Sequence, residues 1–193
     1  MRSTPSALTL RNLAGQAVRL HFCCDGRQAW EAWGAAGGEL VVPEALPSCL
    51  LASVSHVDPH TRVTYALPQR PAPAGMRLVA SVRNVARARS FDCETQAGST
   101  PQLLEMVNRT DGDVCFMLAF AGTPFVVHCP LRPGAAAHFH PRRFELSATL
   151  GGVSCAAMPV AAWNTLVEIS ARKMNGIESP HFRPMPGDAG SGA

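Results

Sequence analysis

The sequence is short of charge and almost without lysine. Asp, Glu, Lys and Arg make up 16% of its 193 residues, and Lys173 is the one lysine, so arginine carries nearly all the positive charge. The formal net charge of +3 is too small to predict binding to nucleic acid or to an anionic membrane by itself. Hydrophobic residues make up 47% of the chain, which is typical of a globular protein and not of a disordered one.

A secretory leader and long apolar runs are also missing. No stretch approaches the roughly 18 apolar residues of a membrane-spanning helix, and the first ten residues lack the apolar core of a signal peptide. We therefore expect a soluble, intracellular (cytoplasmic) protein with no membrane span. The seven cysteines are then expected to stay reduced, most of them buried as small hydrophobic residues.

One pattern occurs twice in the chain. Positions 12–26 read N-L-A-G-Q-A-V-R-L-H-F-C-C-D-G, and positions 108–122, which lie 96 residues later, read N-R-T-D-G-D-V-C-F-M-L-A-F-A-G. In both copies a polar turn precedes a run of strand-forming residues, and a second turn follows it. Apolar residues alternate along each run with the period of two of a half-buried strand. The pattern predicts an internal duplication of one β-unit.

The spacing of turns sets the expected fold class. Short apolar segments, turns roughly every 8–12 residues and the lack of a long amphipathic helix predict an all-β protein. We expect two tandem duplicated sandwich-like or barrel-like units of about six short strands each, packed together, each closing its own interior. The first unit is predicted at 1–94, with a proline-rich insert at 68–75 that forms a surface loop, and the second at 102–183. Residues 95–101 are the expected linker and 184–193 the expected flexible tail.

Two histidines and a carboxylate form the main candidate metal site. Residues two apart on a strand face the same side, so His138 and His140 could bind one metal ion together. With Glu145 and the glycine at 152, the spacing H-x-H-x4-E-x6-G resembles the first metal-binding motif of the cupins. The glycine that cupins carry six residues earlier and their later P-x-G-x2-H element are absent. The resemblance implies a metal-dependent enzyme in which His138, His140 and Glu145 bind one divalent metal ion.

The second copy of the pattern carries another family likeness. It reads N-x-T-D-x-x-V and then G-x-x-F-V-V, which is similar to the late hairpin of trimeric dUTPases and of related barrels in large DNA viruses. The catalytic D-x-G-Y-x-G element of that family is absent. The resemblance implies a catalytically inactive descendant that serves as a binding protein.

The densest group of positive charge is Arg83, Arg87 and Arg89, with Arg70 nearby in the proline-rich insert. Phe91 is the one aromatic residue interleaved with them, which is too little for base stacking, so nucleic acid is not the expected partner. An acidic patch on another protein remains an alternative partner for these arginines.

Two tryptophans occur three positions apart on a presumed strand. Trp30 and Trp33 should therefore point to opposite faces of the sheet. An exposed tryptophan is a common anchor of a protein interface, so Trp33 joins the candidate binding residues.

A short polar stretch, H-V-D-P-H at 56–60, pairs histidines with a carboxylate. Its proline and polarity indicate a turn, which Asp58 is predicted to cap. Nothing nearby supplies a third ligand, so we interpret it as turn chemistry.

Motifs of common enzymes are missing: G-x-S-x-G, the P-loop, the Rossmann glycines and Cys-x-x-Cys. A nucleophilic pair of Cys129 and His128 is not expected, because neighbours on a strand face opposite sides. We therefore expect a non-catalytic binding or assembly module without a cofactor, whose partner is another protein or a second copy of itself. The alternative is the metal-dependent enzyme of cupin type.

Overall fold

A computed structural model describes residues 6–85 and 88–185 of the chain. In these residues the regular structure comprises 17 β-strands and one short 3-10 helix, Pro47–Cys49. The predicted all-β class is confirmed. No helix in this part of the chain has the length and hydrophobicity needed to cross a membrane.

The chain divides into two compact units that are not consecutive halves. Unit 1 comprises the described residues of Met1–Glu44 and Arg143–Ala193, and unit 2 comprises Ala45–Arg142. The predicted boundaries at 1–94 and 102–183 therefore differ from those observed, and the predicted linker 95–101 lies inside unit 2. Neither predicted half closes an interior of its own, because each unit takes strands from both.

Unit 1 contains two sheets, with strand orders β17-β16-β1-β4 and β14-β13-β2-β3, and β15 also pairs with β13. Strand β1 pairs in parallel with β16, with Leu10 opposite Val167, which joins the two distant parts of the chain. The strands are β1 Ala7–Asn12, β2 Val18–Cys24, β3 Arg27–Gly34, β4 Glu39–Pro43, β13 Phe144–Leu150, β14 Val153–Ser154, β15 Met158–Pro159, β16 Leu166–Met174 and β17 Ile177–Met185. Alternate residues of the long strands form the core, including Leu8, Leu10, Leu20, Phe22, Val42, Leu146 and Ile169.

Unit 2 has two sheets of four strands, ordered β11-β10-β5-β6 and β12-β9-β7-β8. Its one parallel pair among the described strands joins β7 to β9, with Leu78 opposite Met106. The strands are β5 Leu50–Val57, β6 Thr64–Pro71, β7 Met76–Val85, β8 Ala88–Ala97, β9 Leu104–Arg109, β10 Val114–Phe120, β11 Val126–Leu131 and β12 Ala136–Phe139. Its core includes Leu50, Leu78, Leu104, Met106, Phe116, Leu118, Phe125 and Phe139.

The two units have corresponding strand orders. Strands β1–β4 can be matched to β9–β12, and β13, β16 and β17 to β5, β7 and β8. The order β17-β16-β1-β4 then becomes β8-β7-β9-β12, and β13-β2-β3 becomes β5-β10-β11; both orders occur in unit 2. The parallel pairs match Val167 with Leu78, because both lie next to corresponding residues of β1 and β9.

A buried asparagine occupies the corresponding place in each unit. The Nδ2 of Asn12 donates to the carbonyls of Gln16 (2.8 Å) and Gly34 (2.9 Å), and its Oδ1 accepts from the N–H of residue 14. The Nδ2 of Asn108 donates to the carbonyls of Gly112 and Leu131, both at 2.9 Å, and its Oδ1 accepts from the N–H of residue 110. Asn12 thus connects the loop after β1 to the end of β3, and Asn108 connects the loop after β9 to the end of β11.

The proline-rich insert is not wholly a loop. Residues 68–71 complete β6, which is an edge strand of its sheet, the position where proline is tolerated. Residues 184 and 185 of the predicted tail belong to β17 instead. Residues 186–193 lie outside the described part of the chain.

Candidate binding surface

The β2–β3 hairpin of unit 1 presents the tryptophan that the sequence singled out. The turn predicted at Asp25 and Gly26 is present, and both residues have positive φ (50° and 71°), which is the conformation of a tight type I′ hairpin turn. Trp30 faces inward and stacks on Phe22 with ring centroids 5.5 Å apart. Trp33 is 65% exposed, so the two tryptophans do point to opposite faces.

A row of polar side chains crosses the outer face of the same sheet. Arg19 binds Glu31 through two hydrogen bonds, from Nε (2.7 Å) and from one terminal nitrogen (2.8 Å). The Nδ1 of His21 lies 3.4 Å from Glu31, and its Nε2 lies 3.3 Å from the hydroxyl of Thr149. That hydroxyl is 2.9 Å from the Oγ of Ser154. The hydrogen bond from Arg19 lowers the pKa of Glu31, so the carboxylate stays ionised and holds the guanidinium beside Trp33.

Part of this row has the order of a nucleophilic relay, with a hydroxyl, an imidazole and a carboxylate in Thr149, His21 and Glu31. Thr149 lies in the middle of the sheet, however, paired with Arg19 on one side and with Ser154 on the other. The residue after Thr149, Leu150, is buried and still paired with Val153, and the chain turns only at Gly151 and Gly152, not directly after the hydroxyl where an oxyanion hole would need backbone N–H groups. The arrangement is better explained as a polar surface that orients Arg19.

Arg89 belongs to an internal network of unit 2 and not to an open cationic patch. Its Nε lies 3.1 Å from the buried Asp58, and a terminal nitrogen lies 2.6 Å from both carboxylate oxygens of Asp111. Asp58 also accepts hydrogen bonds from the N–H groups of His60 (2.8 Å) and Thr61 (3.0 Å), which confirms its predicted role as a turn cap. The hydrogen bond from Thr61 is the main cause that lowers the pKa of Asp58.

The other predicted arginines are not gathered together. Arg83 forms an ion pair with Glu94. It lies opposite Ser90, whereas Arg89 lies opposite Asn84, so the two arginines are neighbours across the hairpin but face opposite sides of the sheet. Arg70 donates to the backbone carbonyl of Cys93 at the edge of the other sheet. Arg87 lies outside the described residues. The described members of the group are therefore engaged with acceptors of their own unit.

The candidate metal ligands are divided between the units. His138 is exposed on β12, opposite Glu105, and the Nδ1 of His140 accepts from the N–H of Arg142 at 3.4 Å. Glu145 lies on β13 of unit 1, whereas both histidines belong to unit 2. Across residues 6–85 and 88–185, no three His, Cys, Asp or Glu side chains come together in a group that could hold a metal ion.

A cysteine–histidine contact that the sequence did not predict lies on the outer face of unit 2. The Sγ of Cys115 is 3.9 Å from the Nδ1 of His128, beside a depression of about 260 Å³. Burial raises the pKa of Cys115, which favours the thiol over the nucleophilic thiolate. None of the seven cysteines, all within the described residues, forms a disulfide bond. The pairing of β10 with β11 creates this contact, and the chain positions alone do not show it.

Unit 1 also has an apolar depression of about 300 Å³ beside β17, lined by Leu8, Met158, Val160, Val167 and Pro184 among others. Its walls offer few polar groups that would orient a ligand, unlike a typical small-molecule site. The outer face around Trp33 combines an exposed aromatic ring with a fixed cation and is the stronger candidate. No protein-family model, curated protein or solved structure matches the chain.

Proposed function

We propose that this protein is a non-catalytic binding or assembly module, and that the outer face around Trp33 contacts another protein chain. The observation that carries the proposal is the 65% exposure of Trp33 on a regular strand. Tryptophan is among the residues that contribute most when an interface buries them.

The neighbour of Trp33 supports the same function. Arg19 lies directly opposite Trp33 in the β2–β3 pair, and two hydrogen bonds to Glu31 fix its guanidinium. Because that side chain is already ordered, little conformational entropy is lost when a partner covers it. Tryptophan and arginine are both enriched at the energetic centres of interfaces.

Corresponding strand orders and the two buried asparagines support a further part of the proposal, that the scaffold arose by duplication of one unit. The surface itself is confined to unit 1. In unit 2, Cys115 occupies the place that corresponds to Arg19, and the residue opposite it is Pro130, where unit 1 has Trp33. The duplicated scaffold would then supply stability in both units and recognition in one of them.

Photo-crosslinking tests the proposal in the cell. A photoreactive amino acid replaces Trp33 in one variant and, as a matched control, Val41 in another; Val41 is 60% exposed on β4 of the same unit. We expect a defined protein adduct from position 33 and none from position 41, with the partner identified by mass spectrometry. Equal or absent adducts at the two positions would end the proposal for this face.

The metal-dependent alternative has its own measurement. Metal analysis of the purified protein is compared with that of the double variant His138→Ala/His140→Ala. A stoichiometric metal ion in the wild type that disappears from the variant would replace the binding proposal with an enzyme of that class.

A further inference from the structure

The strands at the sheet edges differ in how they are protected from pairing with another chain. Free edges bind extended segments unless proline, short length or a covering group prevents it. Most long edge strands of this protein contain proline: Pro43 in β4, Pro68 and Pro71 in β6, Pro130 in β11, and Pro180 and Pro184 in β17. Strands β12, β14 and β15 have only four, two and two residues.

Two longer edge strands in the described part of the chain lack proline, and on one of them a side chain from another strand already binds an edge carbonyl. On β8 the guanidinium of Arg70 reaches across from β6 and binds the carbonyl of Cys93. Strand β3 has eight residues, R-Q-A-W-E-A-W-G, and is the last strand of its sheet. Its pairing with β2 is irregular at Ala29, so the regular part of this edge comprises residues 30–34. The carbonyl of Gly34 accepts a hydrogen bond from Asn12, which marks the end of the open edge. The edge before it is the one best suited to accept another strand.

The sequence of β3 is suited to pairing with itself. Residues directly opposite each other in an antiparallel pair point to the same face of the sheet. A two-fold axis between two copies of β3 must therefore lie where one residue is opposite the same residue of the other copy. With Ala32 on the axis, outward-facing Trp33 lies opposite Glu31 of the second copy, and inward-facing Trp30 lies opposite Gly34. An axis at Glu31 would place two carboxylates opposite each other, and an axis at Trp33 would pair only the strand end.

We propose that a second copy of this chain docks on β3 by antiparallel strand addition, with the two-fold axis at Ala32. This inference rests on the proposed function, because it names the partner of the Trp33 face. The two five-stranded sheets become one continuous sheet, and each Trp33 covers the Arg19–Glu31 ion pair of the other copy. The indole of Trp33 in one copy then lies against the guanidinium of Arg19 in the other copy, which Glu31 of that other copy already holds in place. This is a favourable cation–π arrangement. The interface is isologous and therefore closes as a dimer.

Sedimentation of the full-length protein tests the association. From about 1 µM to about 200 µM, the wild type should shift from monomer to dimer by mass action. Trp33→Glu should weaken the dimer by about tenfold or more, the effect of losing a central aromatic anchor. The control Val41→Glu should leave the dissociation constant unchanged. Equal thermal midpoints of the variants at low concentration show that each is folded.

Crosslinking tests the register separately. Ala32→Cys places one thiol from each copy at the axis, so mild oxidation should yield a covalent dimer. Gln28→Cys, on the same strand but away from the axis, should yield none above the wild-type background. A protein that is monomeric throughout, or a dimer that neither Trp33→Glu nor Ala32→Cys affects, overturns the proposal. A photo-crosslink from position 33 to a different protein, with no self-association, also overturns it but leaves the proposed function in place.

Discussion

At the scale of single residues, several charged groups of this charge-poor protein pair with one another, and one such network holds two of its loops. Arg89 was predicted as a contact for an acidic partner, but it binds the carboxylates of Asp58 and Asp111 inside unit 2. Asp58 in turn holds the turn at residues 58–61 through two backbone N–H groups. A sequence shows that an arginine is present, but its acidic partners here come from segments 22 and 31 residues away.

This network makes the stability of the protein depend on pH. The pKa of Asp58 is lowered by the hydrogen bond from Thr61, and that of Asp111 by the hydrogen bond from Arg89. Both groups bind protons more weakly folded than unfolded, so their contribution is present above an unfolded pKa of about 4 and is lost as pH falls through the lower folded values. Thermal midpoints measured from pH 7 down to pH 3 should therefore decrease.

The variant Asp58→Asn isolates one carboxylate. We expect it to be less stable than the wild type at pH 7, because the ion pair with Arg89 is gone, and to lose less stability on acidification. Glu178→Gln, on an exposed hairpin of unit 1, is the control and should follow the wild-type profile. If the thermal midpoints of the wild type and of Asp58→Asn fall in parallel as the pH is lowered, Asp58 does not cause the pH dependence.

At the scale of strands and turns, local sequence patterns predicted where strands lie but not how those strands pair. Alternation along 18–24 and 114–120 predicted β2 and β10, and the Asp25-Gly26 pair predicted the turn after β2. The pairing of β2 with β3 shifts between Phe22 and Cys23, which decides that Arg19 and not a neighbour lies opposite Trp33. No residue type marks this irregularity in the sequence. The polar row on that sheet was missed for the same reason, since its members come from four strands.

The turn between β9 and β10 shows how closely such elements pack. A Cβ added to Gly112 would overlap the carbonyl of Val57 and lie 2.8 Å from the Cε1 of His56. We expect Gly112→Ala to lower the free energy of unfolding by about 3 kcal/mol, as overpacking does where neither neighbour can withdraw. Urea denaturation measures the change.

Gly34 offers the matched control for that substitution. A Cβ at Gly34 would meet its nearest atom, the Cδ1 of Leu20, at 3.7 Å, which is an ordinary van der Waals contact. Gly34→Ala should therefore change stability by less than about 1 kcal/mol. Similar effects of the two substitutions would show that the close approach at Gly112 relaxes without cost.

At the scale of the whole molecule, the repeated pattern explains why the unit boundaries could not be predicted. If β1–β4 and β9–β12 are copies, the later strands of either half can pair with either copy without changing the local contacts. The structure pairs β16 with β1 and β7 with β9, so each unit combines segments from the two predicted halves. Local alternation is the same in both arrangements, and only the long-range pairing distinguishes them.

Cutting the chain between the predicted halves tests this arrangement. A protease site inserted between Pro101 and Gln102, both exposed in the turn before β9, would divide the chain into β1–β8 and β9–β17. Because each unit needs strands from both fragments, we expect the two fragments to elute together after cleavage and to separate only in denaturant.

The thermal midpoint of the cleaved protein should become dependent on concentration, since unfolding now releases two chains. The uncut insertion variant is the control, with a midpoint independent of concentration at levels where it stays monomeric. Two fragments that separate in buffer, each retaining a cooperative unfolding transition, would show that each half folds alone.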